Sequence, residues 1–150
     1  MNRVRRMYRF FHLDRRTMLR LMEACFYLAL ARILILLPFS RVAPILGVIQ
    51  EETSRELTGE KKVLSPVHDA ILLMSRHTFW DSRCLVKAIA ALKMLERRGL
   101  ESTLYLGVGR DDQGKMAAHA WLRCGPYYIT GYESMDNYVV VGKFAKVIDK

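Results

Sequence analysis

Hydrophobic positions recur along this chain at two spacings, and the change between them divides it. Met18, Leu21, Met22 and Cys25 fall at helical spacing (i, i+3, i+4, i+7) and run on through the apolar stretch Ala24 to Phe39, which Pro38 closes. That period predicts a helix, with Asp14 at its N-cap ahead of an arginine-rich first turn. Ser40 to Gly47 predicts a short connector, or a one-turn helix broken at Pro44, whose ring removes a helical hydrogen bond. Residues 50–63, with Glu51, Glu52, Arg55, Glu56, Glu60, Lys61 and Lys62, read as an exposed helix or a linker. Ser65-Pro66 starts the next helix, serine as cap and proline at the tolerated first position, with Val67, Ile71, Leu72 and Met74 inside.

A helix from Cys84 is the best-formed element. Asp81 or Ser82 supplies its cap, and Leu85, Ala88, Ile89, Leu92 and Leu95 form a buried stripe. Lys87, Lys93, Glu96 and Arg97 stay outside, Arg98 suits the negative C-terminal end, and Gly99 takes the left-handed position that ends it. From Ser102 the period becomes two. Thr103 to Val108 is a strand, Asp111-Asp112-Gln113-Gly114 a hairpin loop, and Met116 to Arg123 the returning strand. Ala117, His119 and Trp121 fall on one face of that strand, and Ala118, Ala120 and Leu122 on the other. Cys124-Gly125-Pro126 turns into Tyr127 to Thr130, and Tyr138 to Phe144 is the last strand. Helices followed by an antiparallel meander predict an α+β fold: a helical N-terminal region over 1–62, and a core over 63–150 whose Cys84 helix packs on the sheet.

Hydrophobic content of 51% against 26% charged residues excludes a disordered chain. The net charge of +9 is uneven: Arg3, Arg5, Arg6, Arg9, Arg15, Arg16, Arg20 and Arg32 precede residue 33, against only Asp14 and Glu23. Such a patch suits an anionic lipid, an acidic peptide or a nucleic acid, or simply a solvated face. No recognition-helix motif supports nucleic acid, so none is expected as a partner. Arg32 and Pro38 keep the apolar run shorter than the ~20 residues of a spanning helix. A buried helix is the first reading of it, and attachment to a membrane surface the second. Cys25, Cys84 and Cys124 are odd in number and form no CxxC pair, which predicts free thiols in a reducing cytoplasm. His12, His68, His77 and His119 are scattered without zinc spacing, so neither a metal nor a cofactor is expected.

Chemistry concentrates in Trp80-Asp81-Ser82-Arg83-Cys84 and Ala118-His119-Ala120-Trp121, whose thiol and imidazole lie 35 residues apart. A helix N-terminus favours a thiolate through its unpaired N–H groups and positive dipole end. An imidazole on an adjacent strand takes the proton and returns it to a leaving group. The plain alternative is a structural cysteine and a satisfied histidine. Trp80 walls the site or lines the substrate groove, with core packing as its alternative.

The order of a cysteine helix and then a histidine on the sheet resembles the transglutaminase-like, papain-related cysteine fold. Trp80 to Leu85, Leu95 to Leu100, Leu104 to Val108 and Ala118 to Gly125 further resemble the leader peptidases of lasso-peptide biosynthesis, in the split form whose leader recognition is a separate protein. The similarity runs from about residue 64 to the C-terminus. It implies a cysteine endopeptidase, Cys84 and His119 doing the chemistry, that removes the leader from a ribosomally made precursor peptide. It also implies a separate leader-recognition protein and a lasso cyclase as partners. An amide-forming acyl transferase of the same fold and a non-catalytic basic binding protein are the alternatives. Many relatives carry an aspartate about a dozen residues after the histidine, and here that position is Gly131. Glu133 and Asp136 are the nearby carboxylates that can replace it, a backbone carbonyl or an amide such as Asn137 the other choices.

Overall fold

The computed structural model describes residue 9 and residues 12–78 and 83–149. Helix α1 (Arg15–Leu34) begins where predicted, the Asp14 carboxylate accepting from the backbone N–H and the hydroxyl of Thr17. It buries Leu21, Ala24, Leu28, Ala31 and Leu34, whereas Met22, expected with the inner residues, is 61% exposed. The helix closes at Leu34, and Pro38 becomes the cap of α2 (Phe39–Leu46). Pro44 therefore lies inside a two-turn helix instead of breaking it. In so short a helix its ring forfeits one hydrogen bond, and burial of Val42, Ala43 and Leu46 offsets that loss.

Gly47 (φ 134) then admits a two-residue strand, β1 (Val48–Ile49), too short for any periodicity to announce. The polar stretch that follows is a linker ending in a 3₁₀ turn at Lys61–Val63, which runs directly into α3 (Leu64–Ser75). That continuity moves the cap to Val63 and makes Ser65 a helical residue, correcting the expected Ser65 cap. Pro66 still falls in the first turn, where its missing N–H has no helical partner to lose.

Helix α4 (Cys84–Arg97) follows backbone cap Arg83; the proposed caps Asp81 and Ser82, like Trp80, lie outside the described residues. Its end is a left-handed glycine cap: Gly99 (φ 71) donates to the Glu96 carbonyl and Leu100 N–H to that of Leu95. Val86, Ala88, Ile89, Ala90, Ala91, Leu92, Met94 and Leu95 are all buried, far more than one stripe, because α1, α3 and the sheet surround this helix. At its C-terminal end Arg98 holds Glu23 of α1 through two parallel bonds of 2.8 Å.

The sheet adds β2 (Ser102–Arg110), β3 (Met116–Cys124), β4 (Tyr127–Thr130) and β5 (Tyr138–Lys146) in the order β1-β5-β2-β3-β4, every pair antiparallel. The expected meander holds for β2–β3–β4 only. A 3₁₀ segment, Tyr132–Asn137, carries the chain across the sheet so that β5 pairs with β2, satisfying an edge β2 would otherwise expose. Leu104, Ala120, Leu122, Cys124, Ile129 and Phe144 join α1, α3 and α4 in one core.

Tyr105, Trp121 and Arg123 are buried as well, and Arg123 is 0% exposed. The linker explains it. The Arg123 guanidinium donates to the Thr53 carbonyl (2.9 Å), the Ser54 carbonyl (3.2 Å), the Gly125 carbonyl (2.6 Å) and the Tyr105 hydroxyl (2.9 Å), with the Glu52 carboxylate 3.5 Å away. Thr53 adds a hydroxyl pair to Thr103 at 2.8 Å. The polar composition that reads as exposed linker thus includes a strap over the second face of the sheet, tied down by a buried cation whose donors are used.

Candidate active site

Cys84 occupies the first helical position of α4, half-buried against the core, as a free thiol. The Arg83 carbonyl accepts from Lys87 N–H at 3.0 Å, so Cys84 sits within the first turn, where backbone N–H groups have no helical acceptor. His119 sits on β3 opposite Gly107 of β2. Its ring stacks on Tyr138 (centroids 4.9 Å, 29°) and on Trp121 (5.8 Å, 28°), and Trp121 stacks in turn on Tyr105. Gly107 makes this row possible, since a Cβ there would come within 2.8 Å of the Trp121 ring and 2.9 Å of the Tyr138 Cβ.

Cys84 and His119 line the same small cavity of about 100 Å³, together with Gly131 and Glu133. The imidazole Nε2 lies 2.7 Å from the Gly131 carbonyl and 3.3 Å from the Ser134 hydroxyl. A carbonyl only accepts, so Nε2 carries the proton and the neutral ring keeps Nδ1 as its acceptor. Glu133 is a wall of the cavity, and Asp136 lies on the 3₁₀ segment without lining it. Position 131 supplies an oxygen after all, from its backbone. Gly131 has φ 74, and a Cβ there would fall 2.4 Å from the Ala120 carbonyl oxygen.

The residue pattern alone did not single out three other groups in the cavity, His68, Lys87 and Thr130. His68 gives its Nδ1–H to the Ile129 carbonyl at 2.7 Å, which leaves its Nε2 unprotonated in the neutral ring. Its position one residue after Val67 on α3, at the edge of the buried stripe, was the available signal. Thr130 lines the cavity, and its hydroxyl is buried without a hydrogen-bond partner. Cys124 is no competitor to Cys84: burial pushes its thiol up to about 11. Among the described residues no group of three or more His, Cys, Asp or Glu side chains gathers as a metal site, and no helix is long and apolar enough to cross a membrane.

An antiparallel sheet carrying an imidazole beside a thiol-bearing helix N-terminus defines an α+β protein with a thiol–imidazole cavity. The sequence matches the family model of the transglutaminase-like superfamily over residues 25–143, and the chain belongs to that superfamily, which includes cysteine peptidases and acyltransferases. No curated protein and no solved structure gives a match.

Proposed function

We propose that this protein is a cysteine endopeptidase that cuts the leader from a ribosomally made lasso precursor peptide, using Cys84 as nucleophile and His119 as base. The observation that carries the reading is the shared cavity of Cys84 and His119, with Gly131 holding His119 Nε2 so that Nδ1 is the basic nitrogen. In the first step Nδ1 takes the thiol proton as sulfur attacks the scissile carbonyl. The N–H of Cys84, at the dipole-positive end of α4, steadies the developing oxyanion. The imidazolium then protonates the leaving amine, and water, deprotonated by the same nitrogen, hydrolyses the thioester to acid and free thiol. The superfamily membership supports thiol acyl chemistry, and the likeness of residues 80–85 and 118–125 to lasso leader peptidases is what suggests the substrate class. A separate recognition protein delivers the leader, and a lasso cyclase takes the product.

The test is mass spectrometry of a candidate precursor incubated with the protein and its recognition partner. A single cut at the leader junction is expected, lost in Cys84→Ala. Equal processing by wild type and variant rules out the thiol mechanism, and an amide-linked product in the presence of a primary amine makes the protein a transferase.

A further inference from the structure

Helix α1 has a second apolar row, on the side away from the core. Leu19 (64% exposed), Met22 (61%), Phe26 (62%) and Ile33 (59%) follow one another at alternating three- and four-residue steps with Ala29 between, and Leu36 (72%) continues the row in the turn beyond the helix. This is the 3.5-residue period by which one helix receives another in knobs-into-holes packing. Scattered surface leucines do not show it, and a contiguous exposed row of this size marks a docking face. From Leu19 to Ile33 the row runs about 21 Å, four turns of helix.

Beside the first half of the row lies a trough of about 660 Å³ between α1 and the C-terminal end of α4. Leu19, Met22 and Phe26 provide its apolar part, while Arg16, Arg20 and Arg97 supply positive charge. Its single carboxylate, Glu23, is already held by Arg98 at 2.8 Å and faces Arg97 at 3.5 Å. The charge to be matched is therefore positive.

We infer that this face docks an amphipathic helix of another protein, one with apolar residues at heptad spacing and glutamates or aspartates on its flanks. A second copy of the chain fits poorly. α1 carries Arg15, Arg16, Arg20 and Arg32 against Glu23 alone, and Glu23 is already held by Arg98 at 2.8 Å, so two copies bring together faces of the same net positive charge. Residues 1–11 fit no better, since they bring Arg3, Arg5, Arg6 and Arg9 and no carboxylate. A lipid surface accepts a flat apolar face, whereas the first half of this row borders a concave trough whose other wall is the C-terminal end of α4. The inference is independent of the chemistry assigned to Cys84.

Fluorescence anisotropy with the full chain tests it. The probes are two labelled four-heptad peptides, both with leucine at the core positions, one flanked by glutamate and one by lysine. The glutamate peptide should bind saturably, and the lysine peptide at least about tenfold more weakly, the scale of several cross-helix charge pairs. Phe26→Ser should abolish binding with the thermal melt unchanged, and Arg20→Glu with Arg97→Glu should reverse the preference between peptides. Equal binding of both peptides, or of neither, overturns the inference. So does self-association in sedimentation that Phe26→Ser removes, or pelleting with phosphatidylcholine–phosphatidylglycerol vesicles in place of peptide binding.

Discussion

His119 is oriented by a backbone atom, the carbonyl of Gly131, 2.7 Å from its Nε2. The imidazole is thereby fixed in one tautomer without a buried carboxylate beside it. The carbonyl orients the ring through a single accepted hydrogen bond.

Two imidazoles face the Cys84 cavity, and both have one nitrogen committed to a carbonyl. The proposed chemistry assigns the proton to His119. His119→Ala should lower the single-turnover cleavage rate about a hundredfold or more, as loss of a general base does. His68→Ala should cost markedly less and raise KM more than it lowers kcat, its ring being a wall of the cavity. A larger loss in kcat from His68→Ala exchanges the two roles.

Gly131→Asp, which places a carboxylate at the position where the resemblance leads one to expect it, should not improve the enzyme. The left-handed φ of 74 and the Ala120 carbonyl 2.4 Å from a Cβ force the backbone to move, and the oxygen that orients His119 moves with it. A stability loss on the order of 1–3 kcal/mol is expected in urea unfolding, the cost of a strained backbone position. Gly131→Ala should show the same loss, and cleavage should fall with both.

Removing the buried guanidinium should be more damaging than any surface substitution. Arg123→Ala strands the Thr53, Ser54 and Gly125 carbonyls and the Tyr105 hydroxyl. A loss of about 3–5 kcal/mol follows from breaking a buried, hydrogen-bonded charge site. Arg123→Lys should recover little, since an ammonium lacks the fork that reaches acceptors on several sides. Equilibrium denaturation measures both, and protease nicking in residues 50–60 reports whether the strap has come away.

Acid should weaken the fold through two paired glutamates. For Glu52 and Glu96 burial raises the carboxyl pKa, but hydrogen bonds and charge outweigh it: Lys143, Tyr105 and Arg123 at Glu52, Lys93 and Lys146 at Glu96. Both therefore end below their ordinary 4.5. A carboxyl whose folded pKa is depressed contributes stability above its unfolded value and loses it as pH falls through the folded one. Melting temperature should hold from neutrality down to about pH 5 and drop below about pH 4.5. Glu52→Gln with Glu96→Gln should melt lower at pH 7 and show a shallower acid limb.

The pairing of Cys84 with His119 was legible because each sits on an element of strong periodicity, a helix with a glycine stop and a strand after a turn loop. The Gly131 carbonyl was not singled out, since a backbone acceptor leaves no mark on residue type. Nothing in the pattern marked Arg123, the last residue of its predicted strand, as internal, and only the strap over the sheet makes it so. The return of β5 to β2 escaped for a different reason. Alternation identifies a strand but does not name its neighbour, and the crossing depends on the 3₁₀ segment that follows Gly131. Met22 shows the limit of spacing: α1 is apolar on two sides, so period alone did not say which side faces inward.

Cys124, 1% exposed and with a thiol pushed up to about 11, gives the molecule a silent reporter. A thiol in that state neither meets an alkylating reagent nor ionises at neutral pH. It therefore becomes modifiable only when the core between the sheet and α4 opens. Pulsed alkylation, read at Cys124 by peptide mass, thus clocks the opening of the platform that carries the imidazole, in the untouched wild-type chain.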